Sequence, residues 1–369
     1  MSTYEYYEWQ AVDRPLSSVQ LREVSRLSSH MEVVTPVQAV VTYSWGSFKH
    51  DPIEVLLRYF DAFLYWANWG SRELAFRFPK AVVDRELLEA YWVDDWLTLR
   101  ESGDYLWLDL DMASHEPGRW EEAEELGLSS LVPLRQQIIE GDCRALYLAW
   151  LKAVEESDSI DPEDLEPPVP AGLRELDPSL DALAWSLLDL DPFLLEAAAA
   201  ASPPRRAVSD EDLAGALAKL PAEECRAYLL QLVRSEAPVR ASLRKRLARL
   251  AGLDLSPRPG SRTAARLLEE AERLRAEDRR RRQEAAERER RRELEDLAKR
   301  EDSVWREIDA LIQRGQPGTY DKATALLTRL REVAEFQNRL PGFEARVAEL
   351  KSRYSRRPSL MERLKDAGL

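Results

Sequence analysis

A highly charged segment in the C-terminal part of the chain limits the folds that this sequence can adopt. Residues 262–302 carry about 14 basic and 13 acidic side chains, and the stretch from Arg275 to Glu293 contains no Leu, Ile, Val or aromatic residue. Leu267 and Leu274 are seven residues apart, but arginine occupies the next two positions of that heptad. A coiled coil needs apolar residues at these positions. The sequence therefore predicts a solvent-exposed single helix, with a weak coiled coil as the alternative.

Oppositely charged side chains support this helix by pairing along it. An acid followed four residues later by a base stabilises a helix by about 0.2–0.5 kcal/mol. Seven such pairs occur in the segment: Glu269/Arg273, Glu277/Arg281, Asp278/Arg282, Glu284/Arg288, Glu287/Arg291, Glu295/Lys299 and Asp296/Arg300. They predict a helical rod that needs no packing partner, and about 40 residues at 1.5 Å each would span on the order of 60 Å.

Charge and aromatic content divide the 369-residue chain into two dissimilar parts. The net charge is −14 overall, about −22 in residues 1–210 and about +8 in residues 211–369. Ten of the 11 tryptophans lie at or before Trp185, and Trp305 is the exception. A chain of this length is expected to form two or three domains. We expect the acidic and basic parts to bind different partners or each other.

The first 155 residues have the patterns of a sheet combined with helices. Apolar side chains recur at every second position, the period of half-buried strands, in residues 73–78, 96–100 and 105–111. Residues 33–45, rich in β-branched side chains, are a further candidate strand. A helix is predicted from Ile53 to Trp66, where an N-cap aspartate and a first-turn proline precede an apolar run. The sequence thus predicts an α+β domain over residues 1–155, with a mostly antiparallel sheet and buried helices.

The remaining residues predict an all-α region. Residues 156–172 are acidic and rich in proline, which is typical of a stiff linker. Residues 173–255 predict a small helical bundle, residues 262–302 form the charged rod, and residues 303–369 predict a C-terminal helical hairpin. The predicted fold class is an α+β N-terminal domain followed by an all-α region with a long charged helix.

Several N-terminal motifs resemble those of a known group of proteins. They are YEYYEW at residues 4–9, DRPL at residues 13–16, YSWGSFK at residues 43–49 and YFDAFLYWANWG at residues 59–70. Together they are similar to an uncharacterised bacterial protein family with no established activity. The resemblance covers roughly the first 80 residues and implies a bacterial source. It assigns no catalytic residue.

A pair of aspartates is the candidate for a metal site. Asp109 and Asp111 lie two residues apart on a predicted strand and so share one face, and His115 and Glu116 follow shortly after. Clustered carboxylates are ligands for hard cations. The alternating positions are leucine or methionine and take the core face, so a solvent-exposed face explains the aspartates better. A metal-dependent enzyme using Asp109 and Asp111 remains the alternative.

Two other groups of residues are candidates for binding partners. Arg244, Lys245 and Arg246 crowd one predicted helix and can contact phosphate or an acidic surface. Trp305 and Tyr320 begin apolar stripes of the C-terminal hairpin, which by itself is too small to bury them. We expect these residues to contact other proteins. A nucleic-acid-associated factor that uses the basic tail helices is a second alternative, although a solvated helix face or a docking site for the acidic N-terminal unit explains the basic residues better.

The usual signatures of enzymes, metal sites and membrane proteins are absent from the sequence. There is no Gly-rich phosphate loop, no Gly-x-Ser-x-Gly motif and no Cys-x-x-Cys motif. Two cysteines and three histidines cannot form a disulfide framework or a zinc site of the usual spacing. No stretch approaches the roughly 20 apolar residues of a membrane span. We therefore expect a cytoplasmic, non-enzymatic adaptor or scaffold that binds other proteins and holds no cofactor.

Overall fold

The computed structural model describes most of the chain, namely residues 4–112, 126–205, 210–233, 239–251 and 258–369. Contacts divide the chain into two compact units, Met1–Arg275 and Ala276–Leu369. An antiparallel sheet with helices forms the N-terminal part, and an all-helical region with one long helix follows it. The predicted fold class is confirmed.

A seven-stranded antiparallel sheet organises the N-terminal unit. The strand order is β2-β3-β1-β4-β5-β7-β6. The strands are β1 Glu5–Gln10, β2 Met31–Val34, β3 Gln38–Tyr43, β4 Ala62–Ala67, β5 Arg72–Pro79, β6 Leu97–Ser102 and β7 Tyr105–Met112. Strands β5, β6 and β7 lie where the alternation predicts them. The candidate strand over residues 33–45 is instead two paired strands, β2 and β3, separated at Thr35-Pro36-Val37.

The predicted helix from Ile53 to Trp66 differs from the structure in its second half. Helix α2 covers Pro52–Tyr59 and ends where Phe60 adopts an extended conformation, and the following residues form strand β4. This strand is buried on both faces, since Leu64 packs into one core and Phe63 into the other. A strand buried on both faces has no alternation of polar and apolar residues, so its sequence pattern resembles that of a buried helix.

One face of the sheet, which we call the α2 face, packs against helices α1 (Ser18–Val24) and α2. Both helices begin at a capping residue: Ser17 forms a capping box with Gln20, and the carboxylate of Asp51, the predicted N-cap, accepts hydrogen bonds from the first turn of α2. The core on this face contains Trp9, Val41, Leu56, Phe60, Phe63 and Ala75.

The opposite face packs against a layer of helices. These are α3 Arg85–Glu89, α4 Val132–Ile139, α5 Arg144–Glu156, α6 Pro178–Asp181 with the π-helical turn Ala182–Leu187, and α7 Pro192–Ala199. Helix α11, Ala264–Lys299, contributes Leu267 and Ala271 from its first turns. One continuous core therefore extends from the sheet through residues 180–199 to the start of α11.

Residues 156–172, predicted as a linker, are in part bound to this core. The Glu166 carboxylate is buried and accepts hydrogen bonds from Tyr147 and Arg262. The backbone of Val169 forms two hydrogen bonds with that of Arg258, at 2.6 and 3.0 Å. The acidic composition predicts solvation, but pairing with Arg262 allows Glu166 to be buried. Along the chain, the division between the two compact units falls between Arg275 and Ala276.

The all-helical region comprises the following helices: α8 Asp210–Leu217, α9 Ala222–Val233, α10 Val239–Leu250, α11, α12 Glu301–Arg314, α13 Pro317–Phe336, α14 Leu340–Arg353 and α15 Pro358–Asp366.

Residues 279–293 of α11 are exposed throughout. Two of the predicted ion pairs form there, Asp278–Arg282 at 2.6 Å and Glu284–Arg288 at 3.2 Å. Within the described residues, no helix is long and apolar enough to cross a bilayer.

The C-terminal unit has a core of its own. Apolar stripes of α12, α13 and α14 pack together, and Leu360 and Leu364 from α15 complete the core. Sequence analysis missed the contribution of α15. With this fourth helix the unit buries the stripes that a hairpin alone would leave exposed.

Candidate functional site

A cluster of carboxyl groups lies on the α2 face of the sheet, across strands β5, β7 and β6. In the antiparallel register Glu73 is opposite Asp111, and Asp109 is opposite Thr98. Directly opposite residues point to the same face, and Asp109 and Asp111 alternate with Leu108 and Leu110, which face the other core. We call Glu73, Thr98, Asp109 and Asp111 the carboxyl cluster.

Burial and mutual repulsion make this cluster electrostatically unusual. Burial, followed by the charges of Asp109 and Asp111, raises the pKa of Glu73 far above its ordinary value. Burial and the Asp111 charge also raise the pKa of Asp109, against opposing effects of Glu73 and Arg100. Glu73 and Asp109 come from neighbouring strands and face the same side of the sheet, so their carboxyl groups interact. Two carboxyls in contact share a proton because both cannot ionise cheaply, so this pair keeps one proton at neutral pH.

Two polar atoms in the cluster are buried and lack a hydrogen-bond partner within the described part of the chain: Asp109 Oδ1 and Thr98 Oγ1. Thr98 is only 8% exposed. A buried polar atom without a partner costs about 1–3 kcal/mol. The cluster therefore has unused capacity to bind a hydrogen-bonding group.

The sequence candidates for a metal site are only partly brought together. Asp109 and Asp111 share a face as predicted, but only Asp111 is exposed and Asp109 is half-buried. His115 and Glu116 lie outside the described residues. Among the residues that are described, no group of three or more His, Cys, Asp or Glu side chains is arranged to hold a metal ion.

Sequence analysis missed Glu73 and Thr98 as members of the cluster. Glu73 lies on β5 and Thr98 on β6, and only the strand register brings them to β7. Both residues occur in segments with the predicted alternation, at positions opposite in phase to the leucines. That phase is the one sequence signal from which their face could be inferred.

A second distinctive surface lies on helix α9, all of whose residues are described and none of which is buried. It exposes four large aliphatic side chains, and Val233 is 82% exposed. At 100° per residue they fall within about 160° of the helix circumference. These four residues, Leu229, Leu230, Leu232 and Val233, are named here the α9 face.

The basic candidates lie on the next helix, α10. Arg246 forms a two-bond ion pair with Glu224 of α9, at 2.9 and 3.0 Å, so its charge is locally compensated. Arg244 and Lys245 belong to the same helix, and their side chains are outside the description. The sequence of α10 contains five basic residues and no acidic one.

The C-terminal candidates Trp305 and Tyr320 are core residues. Trp305 is 4% exposed and has the guanidinium of Arg346 4.4 Å from its ring centre. Tyr320 is 7% exposed, and its hydroxyl lies 3.1 Å from Nη1 of Arg357. Both side chains are held inside the unit by its own helices and are not on its surface. Their contribution is to packing of the C-terminal core.

No known protein family, curated protein or solved structure matches this chain. The resemblance indicated by the N-terminal motifs therefore stays a prediction. Function has to be argued from the two surfaces described above.

Proposed function

We propose that the protein is a non-enzymatic adaptor that joins partner proteins, and that one partner binds the α9 face. The observation that carries this proposal is a helix with four exposed large aliphatic residues and no buried one. Exposed apolar patches of this kind are typical of protein–protein binding sites. In most helices of a folded unit the apolar side faces the core, whereas here it faces solvent.

Charge favours an acidic partner. Helix α10 follows α9 and carries five basic residues without an acidic one. An amphipathic helix with acidic flanks can place leucines on the α9 face and carboxylates near α10. A second copy of the chain would bring two basic helices together. An anionic membrane would be repelled by residues 1–210, whose net charge is about −22.

The C-terminal unit supports a role in joining partners. Residues 276–369 have their own core, so a second protein can bind there without disturbing the sheet. The exposed part of α11 carries ion pairs between its own residues, and near its end Arg290 and Arg291 also contact Glu332 and Phe336 of α13. A helix of this type links two binding units without itself requiring a partner.

Site-specific cross-linking tests the proposal. A photoreactive amino acid replaces Leu230 in the full-length protein, and Val19, which is exposed on α1, receives it as the matched control. We expect Leu230 alone to cross-link one acidic protein at a defined segment. That protein is then purified and its affinity measured.

Substitution decides whether the captured protein is a true partner. Leu230→Asp should weaken binding of the purified protein at least tenfold, because a charge replaces a buried apolar contact. Val19→Asp should leave the affinity unchanged. Equal affinities for the wild type and Leu230→Asp would contradict the proposal.

A further inference from the structure

The carboxyl cluster has a feature that the adaptor role does not use. Asp109 Oδ1 and Thr98 Oγ1 come from directly opposite residues of β7 and β6, and neither has a hydrogen-bond partner in the described structure. Thr98 is more than nine-tenths buried. Glu73 lies on β5, on the other side of β7, and its carboxyl group interacts with that of Asp109. Side chains of three neighbouring strands thus face the same side of the sheet around Asp109.

The negative charge around Glu73 and Asp109 favours a cation as the ligand. Carboxylates at Asp51, at the start of α2, and at Asp111 add negative potential near Glu73 and Asp109. Asp95 acts in the same way on Asp111. Arg100 on β6 opposes them at Asp109. The surplus of carboxyl groups excludes an anionic ligand.

The donor set favours an organic ammonium group over a metal ion. No metal-binding group of three or more His, Cys, Asp or Glu residues occurs among the described residues. A primary ammonium carries three N–H donors, which matches the oxygens of Asp109, Thr98 and Glu73. We infer that Glu73, Asp109 and Thr98 bind the ammonium group of a primary amine, which is either a free diamine or a lysine side chain.

Access is from the side of Asp111. Its side chain is exposed, whereas Glu73 and Asp109 are half-buried and Thr98 lies deepest. On this inference the ammonium approaches past Asp111, the most exposed of these side chains. The rest of the amine remains near Asp111, at the solvent boundary.

Binding has a definite proton balance. In the free protein Glu73 and Asp109 share one proton; the bound ammonium takes its place between the two carboxylates. No covalent bond changes, and the displaced proton goes to solvent. Binding of one ammonium is therefore coupled to release of about one proton near neutral pH.

Titration calorimetry of the full-length protein tests this coupling. The probes are 1,4-diaminobutane and Nα-acetyl-lysine amide, each measured in two buffers of different ionisation enthalpy. We expect saturable binding of at least one probe with release of about one proton. Preference for the diamine indicates a free polyamine as the source, and preference for the lysine derivative indicates a protein. Tetramethylammonium, which has no N–H donor, should not bind.

Variants separate binding by the cluster from a general charge effect. Glu73→Gln and Thr98→Val should each weaken binding about tenfold or more, and Glu73→Gln should also abolish proton release. Glu101→Gln removes the same charge from the β6–β7 hairpin, at a carboxylate paired with Lys80, and should change affinity less than twofold. Thermal unfolding checks that each variant is folded.

Three results would overturn the inference. The first is absence of binding by either probe at millimolar concentration. The second is equal weakening by Glu73→Gln and Glu101→Gln. The third is a crystal structure grown with the diamine in which an ordered water alone bridges Asp109 and Thr98.

Discussion

Helices α5 and α9 belong to the same unit and have nearly the same length, 13 and 12 residues, yet they differ completely in burial. Helix α5 buries ten consecutive residues, from Arg144 to Ala153, whereas α9 buries none. Both helices contain several leucines. The presence of leucines in a helix therefore does not indicate whether it stabilises the fold or is available to a partner.

The difference extends to the charged side chains near each helix. On the α5 side, Glu166 is buried and receives hydrogen bonds from Tyr147 of α5 and from Arg262, at 2.7–2.9 Å. On the α9 side, Glu224 pairs with Arg246 in a partly exposed position. The first pair fixes the segment after α5 to the start of α11. The second pair joins α10 to α9, a helix that buries none of its residues.

The largest expected effect comes from breaking the buried ion pair. Arg262→Met should lower the free energy of unfolding by about 3–5 kcal/mol, because Glu166 would be left buried without a countercharge. Arg246→Met is the matched control and should cost about 0.2–1 kcal/mol. Urea unfolding followed by tryptophan fluorescence reports mainly on the N-terminal unit, which contains ten of the 11 tryptophans. Equal losses would show that burial does not distinguish the two pairs.

Replacing a leucine by alanine should also lower the free energy of unfolding more in α5 than in α9, but by a smaller difference than for the ion pairs. Leu148 is fully buried in α5, so Leu148→Ala should cost about 2–5 kcal/mol. Leu229→Ala in α9 should change stability by less than about 0.5 kcal/mol, because no cavity forms. The same unfolding assay measures both. A loss above 2 kcal/mol for Leu229→Ala would mean that α9 is packed in solution, and the α9 face would not be free for a partner.

Buried and exposed carboxyl groups should also differ in how they make folding stability depend on pH, and the carboxyl cluster provides the buried group. The pKa of Glu73 is raised in the folded protein by burial and by its neighbours, whereas in the unfolded chain it is about 4.3. Folding stability is consequently lost as the pH rises above the unfolded value towards the folded one. In the Glu73→Gln variant, the side chain at position 73 does not titrate, and its amide N–H can still donate a hydrogen bond to Asp109.

The free energy of unfolding of Glu73→Gln should therefore rise relative to that of the wild type from pH 5 to pH 8. It should grow by up to about 1.4 kcal/mol per pH unit. Urea unfolding at each pH measures it, and Glu101→Gln serves as the exposed control, with a difference that does not grow. A pH-independent difference for Glu73→Gln would show that Glu73 is ionised in the folded protein.

Local patterns were sufficient for part of the fold and for part of the candidate site. Strands β5 to β7 were predictable because polar and apolar residues alternate along each of them. Strand β4 was not, because both its faces are buried. Asp109 and Asp111 were predictable as a pair from their spacing, but Glu73 joins them through strand register. Trp305 and Tyr320 were expected to bind partners because a hairpin alone is too small to bury them. The packing of α15 against the other helices, which buries them, depends on tertiary contacts that local patterns do not indicate.

The smallest expected effect concerns the exposed part of α11, where ion pairs form between residues of the same helix. Glu284 pairs with Arg288 at 3.2 Å and with Arg280 at 3.8 Å. Glu284→Gln should lower local helix stability by about 0.3–0.5 kcal/mol at low salt. At 1 M salt, where the screening length is about 3 Å, the difference should vanish.

Hydrogen exchange of residues 279–293 in the full-length protein measures this effect, with α5 as an internal reference that salt should not weaken. The single-helix interpretation requires that exchange in this stretch be independent of protein concentration. Protection that increases with concentration and resists salt would instead support the coiled-coil alternative, in which a second chain covers residues that are exposed here. That outcome would also change the comparison with α9, because α11 would then be the surface on which copies of the chain meet.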